Sequence, residues 1–312
     1  MLENLNMLEH FPLSQMPFDS PERLFLLSEV FKKSLTDKRA YIHDPALGPV
    51  PQDVLLSKAY GAARAAEIEP GRAKEPVPGR PEEYESSDTT HFSVVDAEGN
   101  LVAQTQTISN FFGSCILPAG TGIVLNCQLA GLAVENVKAY VRPISTTSPS
   151  LIFRDGKPLA VIGSPGANRI VTTVTQLISN LVDGRLSPEE AVFAPRVSND
   201  YDNVLRYEGS FAPETIEKLE SWGQKTMSMR PMARFMGGVG AIFLEQDGLL
   251  TGVADPRRDG SACCTQQIKP QPKGEEPVLY YRAKRNLARH GDYYRGSCLA
   301  AKKEWDEGHT VF

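Results

Sequence analysis

Three short stretches carry the residue types that amide chemistry needs. In "YESSDTTHFSVVDAEGN" a polar loop enters an alternating run at Thr89-Thr90. Thr-Thr there is a β-branched strand start, or Thr89 is a nucleophile waiting for the chain to be cut in front of it. Cut between Asp88 and Thr89, the residue would carry both a hydroxyl and a free α-amine. An α-amine has an ordinary pKa of about 7.7–8.0, so near neutral pH it can take the hydroxyl's proton. The Thr89 hydroxyl could make the cut itself, by attack on the Asp88 carbonyl and hydrolysis of the resulting ester. A second stretch, "VIGSPGANRI", reads as a strand end, a small-residue turn and a helix start. Its Gly166 and Ala167 are candidate oxyanion donors, because the first N–H groups of a helix have no partner within it. The third stretch, "RPISTTSPS", gathers Ser145, Thr146, Thr147 and Ser148 before a strand and suits a substrate carboxylate. Each has a plain alternative: strand propensity, a simple turn, a capped loop. His91 beside Thr89 is read as a structural histidine.

The elements that would position these groups are legible from periodicity and punctuation. Residues 1–68 read as helical: Ser20-Pro21 forms an N-cap and first-turn proline, with Leu24, Leu27, Phe31 and Leu35 on one face. A second helix is expected from Ser57 to Ile68. Residues 69–88 hold proline, glycine and charge without periodicity, as a loop that can be cleaved without losing a core. Hairpins are expected at 90–96 with 101–107, at 151–153 with 159–162 across Asp155-Gly156, and at 241–244 with 249–253 across Gln246-Asp247-Gly248. Helices are expected after Asn168, from Ser187 with its capping-box Glu190, and from Pro213 to Trp222. Hairpins with grouped helices predict sheets covered by helices, not a doubly wound parallel sheet. The region 89–262 is thus the catalytic candidate. The tail 263–312 holds nine Lys/Arg against six Asp/Glu and reads as an appended segment, partly helical at most.

Composition excludes little but narrows the partners. At 312 residues and 41% hydrophobic, the chain suffices for one large or two modest domains. A net charge of −5 gives no electrostatic reason to expect nucleic acid. No window approaches the ~18 uninterrupted apolar residues of a membrane span. The start "MLENLNMLEHF" lacks a basic stretch followed by an apolar core, so no signal peptide is read, and the compartment is left open. Five cysteines form no metal spacing and read as buried or free thiols.

Taken together and in order, these segments resemble the γ-glutamyltranspeptidase family of N-terminal-nucleophile hydrolases. "TTHFSVVDAEGNLVAQTQT" looks like the start of its small chain, "GTGIVLNCQ" its following strand, "ISTTSPSLIF" its substrate loop, "GSPGANRI" its oxyanion loop, and "VADPRRDGSA" its ending. "AYIHDP" and "LLSKAYGAARAAEI" look like the end of its large chain, so the resemblance covers about residues 1–262. It implies an α+β fold, a four-layer αββα sandwich that is incomplete in this chain, with most of the large chain expected upstream of Met1. It makes Thr89 the nucleophile and Thr107 its orienting partner. Ser109 and Gln128 would lie in the acyl pocket, Ser145 and Thr146 would hold the α-carboxylate, and Gly166 with Ala167 would form the oxyanion hole. The implied substrate is a γ-glutamyl amide such as glutathione, with water or an amino acid as acceptor. The enzyme would work as two associated fragments without metal or organic cofactor. The departures are Ser109 for an asparagine, Thr146 for a serine, Ala167 for a glycine, and Ala130-Gly131 for an acidic pair. Losing that buried carboxylate should weaken binding of an α-ammonium by about 2–5 kcal/mol. An acylase acting on a non-glutamyl amide, or an inactive binding fragment, are the alternatives.

Overall fold

Two serines open the helical region as expected. Ser20 Oγ accepts the Arg23 N–H at 3.3 Å and Ser57 Oγ accepts the Tyr60 N–H at 3.1 Å. In the computed structural model, which describes residues 1–74, 89–131, 137–200, 202–245, 248–258, 260–263 and 280–284, four helices lie here. They are α1 (Leu2–Leu8), α2 (Pro21–Tyr41), α3 (Gln52–Leu55) and α4 (Lys58–Ala66). Leu24, Leu27, Phe31 and Leu35 are buried, but so are Phe25, Leu26 and Val30. α2 is therefore covered on more than its one expected face. Its core is shared with Met7 and Leu8 of α1 and Ala65 of α4, and with Val197, Leu205, Ile216 and Leu219 much later in the chain.

The first hairpin pairs β1 (Thr89–Val95) with β2 (Leu101–Thr107), from Thr89 opposite Thr107 to Val95 opposite Leu101. The main sheet runs β10-β9-β8-β4-β3, with β3 (Ser150–Arg154), β4 (Lys157–Gly163), β8 (Gly240–Leu244), β9 (Leu249–Ala254) and β10 (Tyr280–Lys284). At the β3–β4 turn Asp155 and Gly156 have φ of 52° and 74°, the left-handed pair that a two-residue hairpin loop demands. Strand alternation then divides the two faces of this sheet. Ala160, Ile162, Ala241 and Phe243 pack on Ile170, Val174 and Leu177 of α5 (Arg169–Val182) and Ala191 and Val192 of α6 (Pro188–Phe193). Val161, Ile242 and Leu244 face Val95, Leu101 and Ala103 of the hairpin. A third sheet, β5 (Val197–Ser198), β6 (Val204–Glu208) and β7 (Lys225–Met229), lies with α7 (Pro213–Ser221) beside the N-terminal helices. The described residues thus form two stacked sheets with helices on one outer side. On the other side Phe92, Val94 and Val102 of the hairpin are exposed.

Three expectations are corrected or fall outside the described residues. "GTGIVLNCQ" forms no strand: it is held to 108–116 only by isolated bonds such as Leu125 N–H to Ile116 O at 2.9 Å. The tail is not helical where it is described. Residues 280–284 add as a parallel strand to β9, because the edge of that sheet offers unpaired backbone groups. Residues 75–88, including Asp88 and most of the expected cleavable loop, lie outside the described residues, as do Gln246, Asp247 and most of the tail. Cys115, Cys127 and Cys263 are free thiols. Among the described residues no helix is long and apolar enough to cross a membrane.

Candidate active site

Stacking the β1–β2 hairpin on β4 and β8 sets the open end of the hairpin over the end of β4. Thr89 opens β1 there, largely buried, and Thr107 closes β2 opposite it. The pocket at this corner is lined by Thr89, Thr107, Ser109, Gln128, Ser145, Thr146 and Ala167, joined by Ile144, Thr147 and Ile170. Seven of the eight residues to which the family resemblance gives a role therefore meet around one space, whereas Ser148 of the hydroxyl cluster does not line it. Gly166 does not line it: it is buried one step behind Ala167, facing Gly237. Thr147 belonged to the hydroxyl cluster already noted. Ile144 and Ile170 carried no signal, being apolar residues beside a loop and a helix start.

Local backbone geometry aims these groups. Beyond β2 the chain turns sharply at Ser109, whose φ is 75° and whose N–H donates to Thr107 Oγ1 at 2.9 Å. After β4 the turn 164–167 carries Gly166 at φ 140° and Ala167 at φ 53°. Ala167 keeps its N–H, but in the left-handed region an alanine costs about 1–2 kcal/mol more than the glycine it replaces. Arg169 and Ile170 donate to the Gly166 and Ala167 carbonyls at 3.0 Å, starting α5. Among the described residues neither the Gly166 nor the Ala167 N–H meets an acceptor. Behind the turn, Ser164 Oγ donates to Pro165 O at 2.7 Å and accepts the Gly238 N–H at 3.0 Å. A Cβ on Gly237, itself at φ 88°, would lie 2.7 Å from that oxygen. The loop holding Gly237 and Gly238 was not legible as a support for this turn, since it lies about seventy residues on.

Among the described residues no lining side chain is ionisable. His91 is close in sequence, but its Nδ1 lies 2.7 Å from Thr105 Oγ1 and its Nε2 3.0 Å from Ser93 Oγ. Burial pushes this imidazole down to about 4, so it is neutral at ordinary pH and tied into the space between the sheets. Its ring fills the room left by Gly163, where a Cβ would lie 2.3 Å from Cε1. Ala130 and Gly131 end a short 3₁₀ turn from Gln128 and bring no carboxylate to the pocket. Among the described residues no group of three His, Cys, Asp or Glu side chains could hold a metal ion. The corner therefore offers hydroxyls, an amide side chain and backbone donors, a set suited to an acyl group and an oxyanion.

The sequence matches the family described as gamma-glutamyltranspeptidase over residues 1–265. It is 37% identical over 276 residues to the glutathione hydrolase proenzyme of Escherichia coli (strain K12), covering 82% of this chain and 47% of that protein. It is 36% identical over 262 residues to the acylase ACY 1 proenzyme of Pseudomonas sp. (strain SE83), covering 82% of this chain and 46% of that one. The chain thus spans about half the length of these curated relatives. A cephalosporin acylase structure from Bacillus halodurans superposes with a TM-score of 0.72 at 24% identity, over 83% of this chain and 47% of that one. That likeness shows the fold, in agreement with the α+β sandwich expected. By the extent of the family match and by these relatives, the chain belongs to the γ-glutamyltranspeptidase family.

Proposed function

We propose that the chain carries the nucleophile half of a self-cleaving amidase and acyltransferase acting on γ-glutamyl amides such as glutathione. The observation that carries this reading is the pocket lined by hydroxyls, with no side-chain base among the described residues. A threonine there needs a base, and cleavage before Thr89 would supply one as its own α-amine. Thr89 Oγ would attack the γ-carbonyl while the α-amine takes its proton. The negative oxygen would be met by the N–H groups of the 166–167 turn. Collapse would break the C–N bond, the ammonium returning its proton to the leaving amine, and leave an acyl ester on Thr89. Water or an amino acid would then attack the ester, releasing glutamate or a new γ-glutamyl amide. Thr107 would orient Thr89, Ser109 and Gln128 would line the acyl pocket, and Ser145 with Thr146 would hold the α-carboxylate. After cleavage the fragments 1–88 and 89–312 would stay associated, since α2 shares one core with Val197, Leu205 and Leu219.

Intact mass tests the first step: the wild-type chain should yield 1–88 and 89–312, and Thr89→Ala should stay whole. An uncleaved wild-type chain would sink the proposal. Anilide turnover tests the second step.

A second reading is favoured by one feature: among the described residues no carboxylate lines the pocket. Without a carboxylate there, a substrate's α-ammonium would have no charged partner, and a glutaryl amide would serve as well as a γ-glutamyl one. Equal kcat/KM on the two anilides would favour this acylase reading. A preference of more than about 30-fold for γ-glutamyl, the size of a buried charge contact, would reject it.

A further inference from the structure

The hydroxyl wall of the pocket belongs to a stretch without helix or strand, residues 141–149. Its internal bonds are short-range: Ser145 Oγ lies 2.9 Å from Thr147 Oγ1 and accepts the Thr147 N–H at 3.1 Å, and Ser148 Oγ donates to Thr146 O at 3.1 Å. Such bonds shape the loop but tie it to nothing. Among the described residues, Ser150 at the start of β3 donates its Oγ to Ser148 O at 3.1 Å, and the hydrogen bonds from 142–149 to residues distant in the chain run through Arg142 and end on Asp44. Asp44 Oδ2 accepts the Arg142 backbone N–H at 2.7 Å, and Oδ1 accepts its guanidinium at 3.0 Å. Oδ1 also accepts the Ala46 N–H at 3.0 Å, which fixes the carboxylate on its own 3₁₀ turn. The Asp44 side chain is 1% exposed, whereas that of Arg142 is 73% exposed, so the buried acid is the anchor and the arginine the arm. Pro143 follows with a fixed φ, and Ile144 to Thr147 then line the pocket.

We propose that Asp44 is a positioning residue for substrate recognition: it fixes the Ser145–Thr147 wall, and with it the carboxylate subsite, from the segment upstream of the cleavage point. The proposal rests on the γ-glutamyl reading above, which assigns the carboxylate to that wall. It makes the upstream fragment part of the specificity of the pocket, although none of its described residues lines it. A second contact from the same segment reaches the opposite wall, where Lys38 Nζ donates to Asn168 Oδ1 at 3.1 Å, next to Ala167.

The test uses the full chain with Asp44→Asn, which keeps size but turns one acceptor oxygen into a donor facing other donors. Amide exchange across 142–149 should rise about tenfold, with the hairpin 89–107 unchanged. On γ-glutamyl p-nitroanilide KM should rise about tenfold with kcat within about twofold, the mark of lost binding rather than lost chemistry. Butyryl p-nitroanilide, which has no carboxylate, should show no change in kcat/KM. Equal losses on both anilides, or unchanged exchange in the loop, would overturn the proposal. Arg142→Ala is the second variant, safe for folding because its side chain is exposed; keeping the backbone bond, it should give a smaller rise in KM. A wild-type chain that cleaves neither anilide would refute the functional reading, and the exchange measurement would still decide whether Asp44 holds the loop.

Discussion

Thr89 and Thr107 are cross-strand partners at the open end of the β1–β2 hairpin, one opening β1 and the other closing β2. Their pairing is a matter of register, and a slip of one residue would turn both to the wrong face. Thr107 Oγ1 also receives the N–H of Ser109, so the same hydroxyl shapes the turn into the pocket. Thr107→Val keeps the β-branched shape and removes that oxygen. Self-cleavage and anilide turnover should slow by about 10- to 100-fold through misplacement, with little change in unfolding temperature. A time course of intact mass checks the first and steady-state rates the second.

His91 makes stability depend on pH in a defined window. Burial lowers its pKa from an ordinary 6.5 to about 4, so between these values the unfolded chain binds a proton here that the folded chain does not. Its contribution is complete above about pH 6.5, declines as pH falls towards 4, and loses nothing more below that. Thermal unfolding between pH 7 and pH 4 should show this slope, and His91→Gln should flatten it.

Gly163 leaves room for the His91 ring. Gly163→Ala should destabilise the fold by about 1–3 kcal/mol through overpacking between the sheets, read by urea denaturation. Equal midpoints for the two proteins would contradict that packing.

Ala167 sits at φ 53°. Ala167→Gly should relieve left-handed strain and raise stability by about 0.5–1 kcal/mol, the gain being trimmed by the freedom of glycine in the unfolded chain. A rise in the urea midpoint without a change in slope would show it.

The end of the family match is held by a buried charge network. Arg257 donates to Glu208 at 2.8 Å and to Asp255 at 3.1 Å, and Arg196 pairs with Asp255 at 2.6 Å. Arg257→Met would leave Glu208 buried without its guanidinium partner and strip Asp255 of one of two. The expected loss is about 3–5 kcal/mol, measured by denaturant unfolding.

The sequence by itself determined the elements whose signals are local. Ser20, Ser57 and Ser187 cap helices because a hydroxyl three residues before an orphan N–H satisfies it whatever packs nearby. Asp155-Gly156 forms its turn because both residues tolerate a left-handed backbone. The candidate pocket was largely legible too, since Thr89, Thr107, Gln128, Ser145, Thr146 and Ala167 stand in segments whose order and composition mark them.

What only the tertiary structure decided are relations between distant residues. α2 is buried beyond one face because Val197, Leu205 and Leu219 close over it, and nothing in its own periodicity says so. Cys127 and its neighbours are β-prone yet form no strand, because their backbone bonds to 108–116 are isolated and build no continuous ladder. Asp44 meets Arg142 across 98 residues, and Gly238 meets Ser164 across 74. Hydrogen bonds of that kind depend on how sheets and helices stack, and side-chain type and spacing along the chain carry no record of it.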